Sequence, residues 1–419
     1  MQSSDVKHRM IDGVVAVRNS FAWREANRHY RDSNDNSQAR QRKSMATIGY
    51  LTTTLFDFGA IKSLKNEVDA LGIRRPLLVT DPGVEAAGIV AKVLAQLDGV
   101  AVTVFAKTPA NPTEEAVIEG VASYRRGNCD GVIALGGGSP IDLAKGVALA
   151  ATHAEPLETY AAIRNGVGKI TASVAPVIAI PTTAGTGSEV GRGALINLSN
   201  GSKLALISPH LIPKRAICDP ELTLGLPPVL TAATGVDALT HCIETYLSPL
   251  VNPPAEAIAL DGAYRAWHFI KRATENGSDR EARWEMMMAA LEGGMTFQKG
   301  LGAVHSLSHA AGALRQPTLH HGMLNGVFLP QILRFNADSV GKKYDKLREV
   351  FGLDAKADLA AAVSDLIKSL GLPLTLGQMG FEEKHIAETV KRALADHSNA
   401  TTPRKASAEE FEALLRAAL

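Results

Sequence analysis

Asp237 and His241 stand one helical turn apart in the run GVDALTHCIETY, and about sixty residues later VHSLSHAAGALRQPTLHHG supplies His305, His309, His320 and His321. On a helix, an i, i+4 pair turns a carboxylate and an imidazole toward one point, and a histidine from each of two later segments would complete an O/N set for a divalent cation. A cation held by three imidazoles and one carboxylate, with a position left open, does Lewis-acid chemistry. Such pairs also arise simply as helix neighbours. The second cluster weighs more, because it lies in apolar, small-residue sequence, where imidazoles without a cation are costly to desolvate.

The elements that must position these residues alternate in type. RPLLVT, ending before Asp81, reads as a buried strand, and EAAGIVAKVLAQL as a helix. VAVTVFAK is a second strand, NPTEEAVIEGVASYRR a helix capped near Thr113, and DGVIALGGGS a third strand running into a helix from Pro140. PVIAIPTTAGTGSEV adds a further buried strand. This βαβαβ order predicts a parallel sheet flanked by helices, with ligands at the carboxyl ends of the strands. Beyond Pro228 strand signals fade, and LTAATGVDALTHCIETY, PPAEAIALDGAYRAWHFIKRA and DREARWEMMMAALEGGMTFQKG keep a helical period. A boundary at Leu226 to Pro228 therefore divides an α/β dinucleotide-binding domain, residues 46–228, from an all-α metal-binding domain, residues 229–419. Residues 1–45 are rich in Arg, Asn, Ser and Asp without a sustained period, which predicts a disordered or loosely attached extension and makes Met45 a candidate start. Their acidic residues do not suit a transit peptide, and no apolar stretch there suggests secretion.

With 419 residues, 46% hydrophobic content and a net charge of +1, the chain can bury two cores and has no charge excess to recruit nucleic acid. No apolar run reaches the roughly eighteen residues of a membrane span. Cys129, Cys218 and Cys242 are scattered rather than framed as disulfides, which fits a reducing cytoplasm. Cys242 follows His241 directly, but successive residues on a helix point about 100° apart, so it reads as packing.

Gly136, Gly137, Gly138 and Ser139 fall between a buried strand and a helix, where free backbone N–H groups can meet a diphosphate. Thr182, Thr183, Thr186 and Ser188 add hydroxyl donors at what should be the neighbouring strand end, and Asn111 and Asp142 join the same cofactor-binding set. Asp81, ending the first strand, is placed to bind ribose hydroxyls and to repel a 2′-phosphate, which selects NAD over NADP. The same residue also suits a helix N-cap or an Asx turn. No Ser/His/Asp or Cys/His set suggests acyl transfer.

Taken together, GGGSPIDLAK, PTTAGTGSEV, CDPELTLGLP, GVDALTHCIETY and VHSLSHAAGA resemble the iron-containing (group III) alcohol dehydrogenase family, from about Leu51 to the C-terminus. DFGAIKSLK, GIRRPLLVTD, ATHAEPLETYA and TLHHGMLN are most similar to its bacterial branch that interconverts 4-hydroxybutyrate and succinate semialdehyde with NAD. The resemblance implies a two-domain, dehydroquinate synthase-like fold with cofactor and metal facing each other across the cleft. It further implies Asp237, His241, His305 and His321 as ligands, with Fe2+ usual and Zn2+ the alternative. His309 matches a family histidine beside the nicotinamide that is not a ligand but can relay a proton, and Lys203 matches a lysine near the cofactor ribose. Here the segment between His309 and His321 is longer than in many relatives, with Arg315 and a doubled histidine. His321 is taken as the ligand because the usual motif is His-Gly, leaving His320 as a substrate contact. A carboxylate-bearing substrate needs a cation, for which Arg192 is the first choice, Arg315 and Lys299 follow, and Arg404 is structural. The alternatives are a broad-range iron-containing enzyme of the butanol or lactaldehyde type, a dehydroquinate synthase-type lyase, and a silent NAD-binding protein. A small-molecule substrate and a homodimer are the expected partners.

Overall fold

Pro76–Val79 and Gly131–Gly136 bury every residue, the pattern of strands covered on both faces in a parallel sheet. The computed structural model describes residues 52–199, 203–314 and 316–419, so the expectations for residues 1–45 and for Arg315 lie outside the described residues. The chain runs β1 (Thr53–Phe56), α1 (Leu64–Ala70), β2 (Pro76–Val79), α2 (Pro82–Ala86), α3 (Ile89–Leu94), β3 (Thr103–Phe105), α4 (Glu114–Arg126), β4 (Gly131–Gly136), α5 (Gly138–Ala150) and β5 (Val177–Pro181). A hairpin of β6 (Gly193–Asn197) and β7 (Lys203–Ile207) follows, then β8 (Arg215–Cys218). Six strands form one sheet in the order β1-β8-β5-β4-β2-β3, parallel throughout, while β6 and β7 pair antiparallel. After β2 the chain goes outward to β3 and returns to β4 on the other side of β2. That reversal opens a crevice at the carboxyl ends of β2 and β4.

Sequence periodicity missed β1, β8 and the hairpin. The first two are four residues long and gain their stability from parallel pairing with distant partners, Thr53 opposite Arg215 and Phe56 opposite Cys218. EAAGIVAKVLAQL is two helices rather than one, because Gly88 at φ 73° breaks it. The helix expected from Pro140 already begins at Gly138, with Pro140 in its first turn.

From Pro228 the chain is helical: α6 (Pro228–Leu247), α7 (Pro253–Glu275), α8 (Arg280–Met295), α9 (Ala303–Gly312), α10 (His321–Asn336), α11 (Lys343–Phe351), α12 (Leu359–Ser369), α13 (Ile386–Ala395) and α14 (Ala408–Ala418). The helix α6 is buried on almost every side from Thr231 to Leu247, so its polar residues face protein, not water. Glycines let its neighbours approach. A Cβ on Gly262 of α7 would lie 2.6 Å from Cys242 Sγ, and one on Gly293 of α8 would lie 3.0 Å from His241 Cβ. Cys242 is thus packing, as its position on the helix predicts, and all three cysteines are free and buried. No helix among the described residues is long and apolar enough to cross a membrane.

Candidate active site

Two glycine-rich turns form one wall of a cleft of about 1220 Å³ at the carboxyl edge of the sheet. Gly136 has φ 145°, and a Cβ there would come within 2.6 Å of Pro140 Cγ, so only glycine can turn the strand into α5. Gly136 sits behind the cleft, whereas Gly137, Gly138 and Ser139 line it. A Cβ on Gly138 would lie 2.7 Å from Thr186 Cγ2, and one on Gly137 3.3 Å from Thr183 Oγ1, so the two turns are in contact. Ser139 Oγ donates to the Ala110 carbonyl at 2.7 Å and ties this turn to the loop bearing Asn111. Thr182, Thr183, Thr186, Ser188, Asn111 and Lys203 also line the cleft. Asp81 lines it too, and its Oδ1 accepts from Val84 N at 2.9 Å, so the N-cap role is real and one oxygen is committed to it. Both oxygens of Asp142 are engaged, by Ser188 Oγ at 2.6 Å and by Leu195 N at 3.0 Å. It braces the loop around Ser188.

Lys145 was not foreseen. Fully buried, it donates to Ser188 O, Ser188 Oγ, Gly191 O and Gly193 O at 2.7–2.9 Å, which clamps the second turn to α5. Burial pushes its ammonium down to about 8 against the pull of Asp142 and Glu189.

The facing wall is helical. Asp237 Oδ1 lies 3.4 Å from His241 Nε2, 3.7 Å from His305 Nε2 and 3.5 Å from His321 Nε2. The three imidazoles come from α6, α9 and the first residue of α10. Burial and then the opposing pull of Asp237 leave His241 at about 4, and His321 is lowered well below its ordinary value for the same reasons, so both are neutral with lone pairs available. Burial also lowers His305, but hydrogen bonds to Asp237 and Glu244 outweigh it and set it at about 9. Burial raises the Asp237 carboxyl, and the surrounding histidines more than reverse this and keep it ionised.

Two of the three rings are held by their other nitrogen. His241 Nδ1 donates to the Gly185 carbonyl at 3.2 Å, and His305 Nδ1 donates to Glu244 Oε2 at 2.6 Å. Glu244 Oε1 also accepts from Val304 N at 2.8 Å, so this carboxylate caps α9 while it orients a histidine. A buried carboxylate faced by three imidazole Nε2 atoms, with two of the rings tied at Nδ1, is the donor chemistry of a transition-metal site, and a cation there would replace the proton that Asp237 and Glu244 favour on His305. Asp237, His305 and His321 bring their ligand atoms within 4.8 Å of one another.

His309 lies beside this cluster, its ring stacked 5.3 Å from His321, and its Nδ1 donates to Asp396 Oδ2 at 3.1 Å. Burial raises the Asp396 carboxyl, but His309 and then His397 hold it well below the usual range. His320 lines the cleft as the N-cap residue of α10, and its buried Nδ1 has no partner among the described residues. Arg192, immediately before β6, lines the cleft, and among the described residues its exposed guanidinium makes no ion pair. Lys299 is a correction. It is buried against Glu256, its Nζ 2.5 Å from Oε1, and does not line the cleft. Arg404 packs over Phe335 and pairs with Glu410, a structural role.

Glu244, Asn325 and Asp396 complete the ligand surroundings and were missed. Glu244 carried a signal, lying one turn beyond His241 on the same helix, and Asn325 likewise lies four residues after His321. Asp396 gave none, being 87 residues from His309.

A family model described as iron-containing alcohol dehydrogenase matches residues 52–220, and one described as the C-terminal part of the Fe-containing alcohol dehydrogenase family matches residues 231–419. The 4-hydroxybutyrate dehydrogenase of Cupriavidus necator is 53% identical over 378 residues, 88% of this chain and 99% of that protein. The 1,3-propanediol dehydrogenase of Klebsiella pneumoniae is 36% identical, over 90% of this chain and 100% of that one. Among solved structures, sulfoacetaldehyde reductase from Bifidobacterium kashiwanohense in complex with NAD+ superposes with a TM-score of 0.80 at 27% identity, covering 90% of this chain and 99% of that one.

Proposed function

The chain belongs to the iron-containing alcohol dehydrogenase family, and from that premise we propose that it transfers a hydride between NAD(H) and the 4-hydroxybutyrate/succinate semialdehyde pair. The observation that carries this is the convergence of Asp237, His241, His305 and His321 on the floor of a cleft whose opposite wall is the pair of glycine-rich turns. The 53% identity to a 4-hydroxybutyrate dehydrogenase supports the substrate. A relative named for sulfoacetaldehyde, an aldehyde that also carries an anionic group, supports recognition of charge at the far end of the molecule.

In this reading Asp237, His241, His305 and His321 hold Fe2+, with Zn2+ as the alternative. The cation supplies Lewis-acid polarisation of the alcohol or carbonyl oxygen, worth several kcal/mol in the transition state. NAD supplies the hydride acceptor, and Gly137, Gly138, Ser139 and the threonines of the second turn hold its phosphates and ribose. Asp81 selects against a 2′-phosphate with the oxygen it does not commit to Val84 N, Asn111 and Lys203 face the ribose side, and Asp142 braces the turn. His309, steered by Asp396, takes or returns the proton of the substrate hydroxyl through its Nε2. The guanidinium of Arg192 and the ring of His320 take the substrate carboxylate. A homodimer in the cytoplasm completes the proposal, supported by the prevalence of closed two-fold assemblies and by three free, buried thiols.

The test is NADH oxidation by the Fe2+-loaded protein with succinate semialdehyde, run beside butyraldehyde, which has the same carbon count and no carboxylate. Strong preference for the semialdehyde is the expected result. Equal rates would leave a broad-range alcohol dehydrogenase, and no turnover of either would remove the dehydrogenase assignment.

A further inference from the structure

Asn325 lies one turn beyond His321 on α10 and is wholly buried. Its Nδ2 donates to Asp237 Oδ1 at 2.7 Å and sits 3.4 Å from the Nε2 atoms of both His305 and His321. Its Oδ1 is equally buried and has no hydrogen-bond partner among the described residues. A buried amide oxygen without a donor costs about 1–3 kcal/mol, so an asparagine used only to fill the core would be less stable than an apolar side chain of its size. What the amide gains lies in front of it. The three histidines approach the same carboxylate oxygen at 3.4–3.7 Å, and Asn325 gives that oxygen its one hydrogen bond shorter than 3 Å among the described residues.

A carboxylate can rotate about its terminal bond, and nothing in a four-residue spacing on α6 decides which oxygen faces the imidazoles. We infer that Asn325 is a positioning residue of the metal centre: its amide N–H fixes the Asp237 carboxylate and thereby sets how tightly a divalent cation is held. The inference rests on the metal assignment above. It concerns a side chain outside the four-ligand set, acting through Asp237 in the way that outer hydrogen bonds orient ligands elsewhere, where their loss weakens metal affinity by about 10–100-fold.

The test uses the full chain stripped of metal and titrated with Co2+ and with Zn2+ against a chromophoric chelator. Asn325→Ala should bind both ions about 10–100-fold more weakly than wild type, and its Co2+ complex should show shifted visible absorption bands. Asn325→Leu keeps roughly the volume and removes the donor without adding charge. It should gain less melting temperature from added Zn2+ than wild type does, and it carries the test alone if the alanine variant does not fold. Wild-type affinity and an unaltered Co2+ spectrum in Asn325→Ala would overturn the inference even if its melting temperature fell, because a core-filling role predicts that result. The same holds if Asn325→Leu gains as much from Zn2+ as wild type. Wild type that takes up no Co2+ would instead overturn the metal assignment, and this inference with it.

Discussion

His241, His305 and His309 are each oriented by the nitrogen they turn away from the cleft, toward Gly185, Glu244 and Asp396 respectively. For His309 the partner decides the tautomer: Nδ1 carries the proton and Nε2 is left as the acceptor. Asp396→Asn should therefore lower kcat by about 10²-fold, the scale of a misplaced general base, while bound iron measured by atomic absorption stays at the wild-type level. Loss of iron along with activity would mean that Asp396 supports the metal centre instead. Arg192 has no other partner among the described residues, so Arg192→Gln should raise KM for succinate semialdehyde by about 10–100-fold, the worth of one charge-assisted hydrogen bond, and leave butyraldehyde kinetics unchanged. At this scale the sequence is legible where one helical period holds both partners. Asp237 and His241 are such a pair. The 87 residues between His309 and Asp396 are bridged only by folding, so no local pattern marks that dyad.

Among the elements, α5 does more than follow a phosphate turn, because Lys145 on its inner face reaches four acceptors on the neighbouring loop. Lys145→Met leaves those acceptors buried and unpaired. It should lower the urea midpoint, with a loss of about 3 kcal/mol, and raise KM for NAD more than it lowers kcat. An unchanged KM for NAD would separate the loop clamp from cofactor binding. Between α7 and α8, Glu292 lies beside Asp261 and Arg265, and burial, then the Asp261 carboxylate, raises its carboxyl to about 9. The folded state therefore binds this proton more tightly than the unfolded chain, whose glutamate titrates near 4.5. The stability it contributes is complete below that value and is lost as pH rises through about 9. Thermal melts at pH 6 and pH 9 should show a smaller decline for Glu292→Gln than for wild type, and parallel declines would mean that Glu292 is ionised in the fold. The long buried strands and amphipathic helices were readable from period alone. β1 and β8 were not, since no residue of β1 is buried and the pairing of the two joins opposite ends of the α/β region.

For the molecule as a whole, the decisive arrangement is that the carboxyl edge of the sheet and the helices α6, α9 and α10 line one cleft. Ligands bridging the two walls bind only the folded chain, so NAD and Fe2+ together should raise the melting temperature more than either alone. Each contributes about 2.7 kcal/mol at a hundred times its Kd. Equal effects of the pair and of iron alone would mean that NAD does not bind the folded, iron-loaded chain. The division into a sheet part and a helical part was legible because hydrophobic period switches near Pro228. That the two parts share one cleft entered only through the family resemblance, because it depends on long-range packing. Anomalous diffraction at the iron edge from crystals grown with Fe2+ and NAD would locate the bound metal. A single peak about 2.0–2.2 Å from Asp237 and from the Nε2 atoms of His241, His305 and His321 is expected, whereas a peak among His309, Asp396 and His397, or none in the cleft, would rule out the four-ligand centre.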